Sequence, residues 1–215
     1  MKSQLFISFV LMLFSFTTYA KDKQKKHVIT FLGDSLTAGF QLPKNQSWPS
    51  KVERKLKERE KSGKPAWKVV NAGQSGDTSR GGLKRINWVL RSKPDILVLA
   101  LGSNDGLRGI PISETQKNLE EIIKKATEKK IQMILVQNLL PENYGKKFSE
   151  DFAKLYPELA KKHSLPLTPF LLEGVALIDE MTIRDKIHPN DKGTDRMLEN
   201  TWKTIEQVIS KIEKK

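Results

Sequence analysis

The feature that most constrains the fold of this 215-residue chain is an almost uninterrupted apolar stretch, DILVLALG, at positions 95–102. A strand with one face in water alternates apolar and polar side chains, whereas a strand covered on both faces can be apolar throughout. A second stretch of this kind, IQMILVQN, follows at positions 131–138. Both stretches therefore predict strands of a parallel sheet that has helices on both faces, which is the α/β class of fold.

Short apolar segments and longer amphipathic segments alternate along the chain from residue 26 onward. Strands are predicted at 27–33, 67–73, 95–102, 131–138 and 165–170, and helices at 48–60, 78–91, 113–130, 148–163 and from about 191 almost to the C-terminus. Pro157 is expected to bend the fourth helix, and Asn190 or Asp191 is expected to cap the fifth. This order predicts a three-layer α/β/α sandwich, of flavodoxin-like type, around a parallel sheet of about five strands.

The first twenty residues are predicted to be a secretory signal peptide. They begin with a positive charge at Lys2, continue with an apolar stretch at 5–16, and end with small residues at Thr18 and Ala20, which is the usual order in such peptides. The apolar stretch is shorter than the ~20 residues that span a bilayer. Cleavage after Ala20 would leave a single domain, residues 21–215, in the periplasm or outside the cell. An N-terminal anchor that is never cleaved is the alternative.

The chain contains no cysteine, and this excludes several kinds of chemistry. Disulfides, thiolate catalysis and cysteine-ligated zinc sites all need that side chain. A lipoprotein anchor of the usual bacterial kind also needs a cysteine at the cleavage point. The stability of the exported domain is therefore expected to come from packing alone.

The chain is strongly basic, with 38 lysine and arginine residues, 25 acidic residues and a net charge of +13. A charge of this size suggests an anionic partner such as nucleic acid, acidic lipid or an acidic substrate. The lysines are, however, mixed with glutamates along the predicted helices, and no basic run is interleaved with aromatic residues as in nucleic-acid sites. We therefore predict a lysine-rich soluble surface, no nucleic-acid partner, and at most weak contact with an anionic membrane surface.

Three of the predicted strands end in small polar residues. The first ends in GDS at 33–35, the second runs into NAGQSGDTS at 71–79, and the third runs into GSNDG at 102–106. A fourth polar cluster, DKIHPN at 185–190, precedes the last helix. Each loop alone could be an ordinary turn, since Gly, Asn, Asp and Ser are common turn residues. Because the carboxyl ends of parallel strands lie at one edge of the sheet, the four together predict a ligand site there.

Ser35 is the candidate nucleophile of this site, and it would need a base to remove its proton. Histidine suits that role near neutral pH, and the chain contains three. His27 adjoins lysines near the predicted mature N-terminus and is expected to be solvated, whereas His163 ends a predicted helix and is expected to be structural. His188 follows Asp185 by three residues. That spacing lets the carboxylate hold one ring nitrogen while the other faces a nucleophile.

Attack on an acyl carbon also requires hydrogen-bond donors for the developing oxyanion. The loops after the second and third strands offer such donors at Gly76 and Asn104. A nucleophile, a base, an orienting acid and oxyanion donors together indicate acyl transfer. Two other functions stay open at this point. One is a dinuclear metallophosphoesterase, because GDS and GSND resemble its strand ends, and the other is a basic envelope-binding protein without catalysis.

Four short motifs resemble, in order, the conserved blocks of the SGNH (GDSL) hydrolases. They are GDSLTAG at 33–39, the single Gly76 in SGDTS, GSND at 102–105 and DKIHP at 185–189. The resemblance covers nearly the whole chain from about Val28 to the last helix. Within the family, NAGQSGDTSRGGL, GSNDGLRG and the stretch at 140–170 are most similar to the periplasmic thioesterase I/arylesterase/lysophospholipase group.

The resemblance implies a role for each candidate residue. Ser35 would be the nucleophile and His188 the general base, with Asp185 orienting the imidazole. The oxyanion hole would consist of the Ser35 and Gly76 backbone N–H groups and the Asn104 side chain. The family pattern is complete at each of these positions.

The resemblance also implies a substrate loop and a substrate class. The loop is expected to move over bound acyl chains, with a rigid turn as the alternative, and comprises Gly106, Leu107, Arg108, Gly109, Ile110 and Pro111. The implied substrates are small carboxylic esters and thioesters (those of an arylesterase, acyl-CoA thioesterase or lysophospholipase), including lysophospholipids. The implied enzyme is a monomer that needs no metal or organic cofactor. A carbohydrate acetylesterase of the same family is the alternative.

Overall fold

The computed structural model describes residues 26–214, so the predicted signal peptide lies outside the described residues. Five strands form one sheet: β1 (His27–Gly33), β2 (Trp67–Gly73), β3 (Ile96–Ala100), β4 (Gln132–Gln137) and β5 (Leu167–Phe170). Their order is β2-β1-β3-β4-β5, and every neighbouring pair is parallel. The predicted parallel sheet is confirmed, and the predicted strand ends agree with the structure to within two residues.

In the part of the chain that the structure describes, seven α-helices connect and follow the strands. They are α1 (Ser35–Ala38), α2 (Trp48–Lys61), α3 (Ser79–Val89), α4 (Ser103–Leu107), α5 (Ile112–Thr127), α6 (Lys146–His163) and α7 (Asp191–Glu213). Three short 3₁₀ turns cover Lys44–Gln46, Leu90–Ser92 and Glu142–Tyr144. The five predicted helices are present, whereas α1 and α4 lie where the sequence predicts polar loops. Within residues 26–214, no helix has both the length and the apolar character needed to cross a membrane.

Local side-chain chemistry explains where the longer helices begin. The Ser47 hydroxyl accepts a hydrogen bond from the Ser50 N–H (3.4 Å) at the start of α2, and Pro49 occupies the first turn, where its missing N–H is not needed. The Asn190 side chain accepts from the Gly193 N–H (3.0 Å). Of the two caps predicted for α7, Asn190 is therefore the one used.

The helices cover both faces of the sheet and create two apolar cores. The side chains of α3, α5 and α6 pack on one face, with Leu99, Ile122 and Phe152 in the middle. The side chains of α2 and α7 pack on the other face, around Phe31 and Trp48. All five residues of β3 are buried, with exposures between 0% and 4%. The continuous apolar pattern that predicted a strand with both faces covered thus matches its position in the three layers.

Candidate active site

The sheet order places the candidate nucleophile between two other candidate loops. β1 lies between β2 and β3. Ser35, the first residue of α1, follows the last residue of β1, Gly33, after Asp34 alone. The loop after β2 carries Gly76, and Asn104 lies in the short helix α4 that follows β3. The three polar loops therefore lie side by side at the carboxyl edge of the sheet, where parallel α/β proteins hold their ligands.

Ser35, His188 and Asp185 form a continuous chain of hydrogen bonds. The Ser35 Oγ lies 2.8 Å from the His188 Nε2, although the two residues are 153 positions apart in sequence. The His188 Nδ1 lies 2.7 Å from the Asp185 Oδ2. An ionised carboxylate can only accept hydrogen bonds, so Nδ1 carries the proton and donates to Asp185. In the neutral imidazole, Nε2 then accepts from the Ser35 hydroxyl, which is the orientation that a general base needs.

The Asp185 carboxylate is held in its ionised form by several donors. Its Oδ1 accepts hydrogen bonds from the Ile187 and His188 backbone N–H groups, each at 2.9 Å, while its Oδ2 faces the imidazole. Partial burial works against ionisation, but these backbone and side-chain hydrogen bonds outweigh it and lower the pKa of the carboxyl below its usual value. A carboxylate that stays ionised keeps the His188 ring oriented over a wide pH range.

The segment at 177–190, called the histidine loop below, is fixed mainly by its own backbone. The Ile183 N–H donates to the His188 carbonyl (2.9 Å), and Thr182 pairs with Pro189 in an antiparallel bridge. The Asn190 side-chain amide donates to the Glu180 carbonyl (2.9 Å). Since Asn190 also caps α7, the loop is anchored at its end to the longest helix. His188 is thereby positioned by local hydrogen bonds rather than by burial in a core.

Asn104 lies in the same cavity as Ser35 and His188. Its side-chain amide donates one hydrogen bond to the Asp77 carbonyl (2.9 Å). An amide nitrogen carries two hydrogens, so a second N–H remains to be donated to a ligand. The bond to Asp77 fixes the direction of that second N–H and links the loop after β3 to the loop after β2.

Gly76 occupies the loop after β2 but does not itself line this cavity. Its backbone is left-handed (φ +78°), a conformation that favours glycine, and its carbonyl accepts from the Arg108 guanidinium (2.9 Å). Of the predicted substrate loop 106–111, Leu107 lines the cavity and Arg108 contacts Gly76, while the left-handed Gly109 (φ +63°) turns the chain away. Whether this loop moves stays a prediction.

Arg85, which no sequence motif indicates, connects the ends of β1 and β2 to the loop after β2. Its Nε donates to the Asp77 carboxylate (2.7 Å), and its two Nη groups donate to the carbonyls of Ala72 (2.6 Å) and Gly33 (2.9 Å). Its side chain is 17% exposed. In sequence Arg85 looks like any other basic residue of a helix, because its three acceptors come from separate segments. No local pattern could have identified it.

Two further buried carboxyls lie beneath the site. Asp105 is fully buried and accepts from both the N–H (2.8 Å) and the hydroxyl of Ser79, which ties α4 to the start of α3. Asp34 is 2% exposed, and its carboxyl accepts from the Leu36 N–H (3.0 Å). Burial raises the pKa of Asp34 to about 7, against the effect of that hydrogen bond and with help from the nearby Asp77 and Asp105 carboxylates. Asp34, Asp77, Arg85 and Asp105 are called the strand-end network below.

A cavity of about 690 Å³ opens in front of Ser35. Beside Ser35, Asn104 and His188 its walls are mostly apolar, and the apolar side chains are Leu36, Leu107, Leu139, Leu140, Pro141, Tyr144, Phe170, Leu172, Ala176, Leu177 and Ile187. The Phe40 ring covers the outer side of His188, with ring centres 4.6 Å apart. A larger cleft of about 810 Å³ lies at the opposite edge of the sheet, but none of the candidate residues lines it.

The other two histidines do not line the cavity around Ser35. His27 is half-buried, stacks on Trp67 with ring centres 4.7 Å apart, and lies 3.6 Å from the Asp95 carboxylate. The expectation that His27 is solvated is therefore wrong, because β1 begins at that residue and carries its side chain against β2. His163 is the last residue of α6 and is half-buried.

The sequence matches the family described as GDSL-like lipase/acylhydrolase over residues 31–196. Esterase TesA of Pseudomonas aeruginosa is 37% identical over 179 residues, which cover 83% of this chain and 87% of that protein. Thioesterase 1/protease 1/lysophospholipase L1 of Escherichia coli is 36% identical over 181 residues, which cover 84% of this chain and 81% of that protein. The arylesterase of Vibrio mimicus is also 36% identical over 181 residues, with 84% and 88% covered.

Solved structures resemble this fold over the same part of the chain. The crystal structure of TesA has a TM-score of 0.80 at 36% sequence identity and covers 85% of this chain and 99% of its own. A psychrotrophic esterase, EstA from a Pseudoalteromonas species, in a structure inhibited by monoethylphosphonate, has a TM-score of 0.79 at 27% identity, with 86% and 100% covered. The family match over residues 31–196 includes Ser35, Asn104 and His188.

Proposed function

The chain belongs to the GDSL-like lipase/acylhydrolase family and is an ester-hydrolysing serine hydrolase; we propose that Ser35 is its nucleophile, His188 its general base and Asp185 the carboxylate that orients His188. The observation that carries this proposal is the unbroken pair of hydrogen bonds from the Ser35 Oγ through the His188 imidazole to Asp185. Each group faces the partner that its role requires, and all three side chains lie at the edge of the sheet where an acyl substrate can enter the cavity.

In the first half of the reaction, the Ser35 Oγ attacks the carbonyl carbon of an ester or thioester. The hydroxyl proton moves to the His188 Nε2 as the new C–O bond forms, which gives a tetrahedral intermediate and an imidazolium that Asp185 stabilises. When the intermediate collapses, the bond to the leaving oxygen or sulfur breaks. The alcohol or thiol departs with the proton from Nε2, and the acyl group remains on Ser35.

In the second half, a water molecule takes the place of the leaving group. His188 removes a proton from this water while its oxygen attacks the acyl carbon, and the proton then returns to the Ser35 Oγ as the carboxylic acid leaves. All proton transfers pass through one imidazole, so the two halves use the same geometry. The bond between His188 and Asp185 keeps that imidazole in one tautomer throughout.

The oxyanion of both intermediates would be held by three donors. The Ser35 N–H belongs to the first turn of α1, where amides have no acceptor within the helix. The Asn104 amide has one N–H engaged by the Asp77 carbonyl and a second to donate. The Gly76 N–H, in the adjacent loop, would complete the set. Fixed donors of this kind lower the barrier because they need no rearrangement when charge develops.

Arg85 would position these donors without touching the substrate. It holds the carbonyl of Gly33, two residues before Ser35, and the carboxylate of Asp77, whose carbonyl fixes Asn104. A planar guanidinium can make these bonds in a fixed fork, which a lysine cannot. Arg85 therefore sets the relative position of the nucleophile and the oxyanion donors.

The substrates that fit best are esters and thioesters of apolar acyl chains. The cavity walls beyond Ser35 and Asn104 are mostly leucine and aromatic side chains, which favour a hydrocarbon chain over a sugar. The names of the similar proteins include an esterase, a thioesterase, a lysophospholipase and an arylesterase. An acyl chain would lie along this wall, and the leaving group would point to the mouth near Phe40. A carbohydrate acetylesterase would require a more polar entrance.

The experiment that tests the assignment uses a fluorescent alkyl phosphonate, which reacts covalently with activated serines. We expect labelling of one peptide, the one that contains Ser35, and loss of both labelling and ester hydrolysis in Ser35→Ala. A series of nitrophenyl esters from acetyl to long chains should show faster turnover as the chain lengthens to fill the cavity. Labelling of another serine would contradict the assignment, and a preference for acetyl esters would favour the acetylesterase.

The proposed location is the periplasm or the outside of the cell, as a monomeric domain freed by cleavage after Ala20. The support for it is the sequence pattern of residues 1–20. Mass spectrometry of the protein from a fractionated host tests it directly. A mature N-terminus at Lys21 in the exported fraction is expected, and a full-length chain in the membrane fraction would instead indicate an uncleaved anchor.

A further inference from the structure

Large apolar side chains that are exposed to solvent concentrate at the mouth of the cavity. Among the described residues, six such side chains are exposed, and five of them are Phe40, Tyr144, Leu177, Ile178 and Ile187. Tyr144, Leu177 and Ile187 line the cavity, Phe40 covers His188, and Ile178 follows Leu177. The sixth, Trp88, lies at the end of α3 that points to the opposite edge of the sheet. These five residues are called the apolar rim below.

Two residues of the histidine loop, Leu177 in the rim and Lys186 beside it, have left-handed backbone conformations. Leu177, at 68% exposure the most exposed of the five, has a left-handed backbone (φ +64°), which costs free energy in a residue other than glycine. Lys186 has the same conformation (φ +61°), and its carbonyl accepts a hydrogen bond from the Leu177 N–H (3.1 Å). This hydrogen bond joins the two parts of the histidine loop that carry Leu177 and Ile187, and both side chains are exposed to solvent. Leu177 is thus unfavourable in water for two reasons: its apolar side chain is exposed, and its backbone conformation is strained.

We propose that the apolar rim docks the enzyme onto the surface of a phospholipid membrane, so that single-chain lipid esters enter the cavity directly from the lipid phase. This inference rests on the proposed function, because it concerns how the same site receives its substrate. Insertion of the rim removes five apolar side chains from water. It also joins the apolar interior of the membrane to the apolar wall that leads to Ser35.

The position of the rim favours a lipid surface over a protein partner. A protein seated on Leu177, Ile187 and Tyr144 would cover the mouth and close the route to Ser35. A membrane, in contrast, supplies substrate through the contact itself. Three of the five rim residues, Tyr144, Leu177 and Ile187, also line the cavity, as expected if the rim and the cavity wall hold the same chain at different stages.

The charges of the histidine loop, which carries three of the five rim residues, indicate that this contact is apolar rather than electrostatic. Residues 177–188 contain three acidic and two basic side chains, and Lys186 is paired with Asp179 at 3.0 Å. The excess positive charge of the chain lies elsewhere, for example in the cleft at the opposite edge of the sheet, which Arg91, Lys93, Lys129 and Lys130 line. Attachment through that cleft would turn Ser35 away from the lipid. The two modes therefore differ in lipid charge, salt dependence and orientation.

The test measures flotation of the protein with phosphatidylcholine vesicles, which carry no net charge. Residues 1–20 must be absent, as checked by mass, and Ser35→Ala is used as the background so that no lipid is consumed. The rim variants are Ile178→Ser and Leu177→Ser/Ile178→Ser, and the matched control is Trp88→Ser, which removes an exposed apolar side chain outside the rim. We expect the double variant to bind vesicles at least about tenfold more weakly than the Ser35→Ala parent. Ile178→Ser should lie in between, and Trp88→Ser should bind like the Ser35→Ala parent.

Two further measurements separate docking from catalysis. Binding is expected to stay nearly constant between low and high salt, whereas contact through lysines would weaken steeply. In the enzyme with Ser35 intact, Ile178→Ser should hydrolyse a soluble short-chain ester at the normal rate but a vesicle-bound lysophospholipid more slowly, since Ile178 does not line the cavity. Loss of the soluble activity itself would instead count against the proposed function.

Four results would overturn docking by the rim. They are equal binding by the rim variants and the parent protein, equal losses in the rim and Trp88 variants, binding that requires anionic lipid and disappears in salt, and self-association of the parent protein that the rim variants abolish in sedimentation velocity. The last result would make the rim a contact between two copies of the chain.

Discussion

The proposed nucleophile and its proposed base are held by two regions that are built differently. Ser35 adjoins the strand-end network, in which Arg85 binds the Asp77 carboxylate and two strand carbonyls. The buried Asp34 and Asp105 carboxyls of this network accept hydrogen bonds from nearby backbone N–H groups. His188 belongs to the histidine loop, which is largely exposed and is fixed by short-range backbone hydrogen bonds. The first region is continuous with the core, whereas the second depends on local turn geometry. Changes in the first should therefore affect folding and catalysis together, whereas changes in the second should affect catalysis strongly and stability only slightly.

The carboxyls of the two regions also respond to pH in opposite directions. The pKa of Asp34 in the strand-end network is raised by burial, so its ionisation opposes folding. The pKa of Asp185 in the histidine loop is lowered because hydrogen bonds to its carboxylate outweigh its partial burial, so it supports folding above its unfolded pKa and loses that effect as the pH falls. Each region can therefore be recognised by the pH range in which a substitution there changes stability.

The largest expected effect is on the histidine loop. His188→Ala should lower kcat for a chromogenic ester by about 10⁴, as removal of a triad member does in serine hydrolases. The melting temperature should stay within about 2 °C of the parent protein, because the ring is partly exposed and its backbone contacts remain. His163→Ala is the matched control and should leave kcat nearly unchanged. A large loss in His163→Ala, or a small one in His188→Ala, would show that the base is wrongly assigned.

The next effect concerns Asn104, the proposed oxyanion donor, which links α4 to the loop after β2. Asn104→Ala should lower kcat by about 10²–10³ with a smaller change in KM, since the second N–H acts on the transition state. Asn104→Asp should do no better, because a carboxylate would repel the oxyanion. Steady-state kinetics with a soluble ester measures both. A normal kcat in Asn104→Ala would mean that its amide serves only to hold the Asp77 carbonyl.

The same contrast explains what the sequence could and could not predict. The sheet, the five main helices and the candidate site residues follow from local patterns: continuous apolar strands, polar loops at their ends, and an Asp185–His188 spacing that needs no tertiary context. The bonds of Arg85 do not, because its acceptors come from β1, β2 and the loop after β2. The burial of Asp34 does not either, because it depends on how separate segments pack around that residue. The prediction that His27 is solvated was wrong for a related reason, because its environment is set by the neighbouring strand β2. Long-range contacts that leave no local pattern in the sequence could not be predicted from it.

Arg85 provides the sharpest test of the strand-end network. Arg85→Gln should lower the free energy of unfolding by about 2–4 kcal/mol, because it leaves the nearly buried Asp77 carboxylate without its partner. It should also lower kcat by about tenfold with little change in KM at a temperature where the variant is fully folded. Arg85→Lys should restore part of the stability but less of kcat, since it lacks the fork geometry.

The control for this prediction is Arg80→Gln, an exposed position on the same helix, which should change neither quantity. Denaturant unfolding and steady-state kinetics on the same preparations decide the question. If Arg85→Gln loses stability and keeps its kcat, then Arg85 supports the fold without positioning the donors, and the proposed coupling of folding and catalysis in this region fails.

Asp34 makes the stability of the strand-end network depend on pH. The folded protein retains a proton on Asp34 up to about pH 7, whereas the unfolded chain releases it near 3.8. The unfolding free energy should therefore fall as the pH rises from about 4 to 7, by no more than about 4 kcal/mol from this group. Asp34→Asn keeps an oxygen acceptor for the Leu36 N–H but cannot ionise. Its melting temperature relative to the parent protein should thus rise steadily over that range and level off above it. A constant difference across pH 4–8 would show that Asp34 ionises without cost, and the strand-end network would then be no less tolerant of charge than the histidine loop.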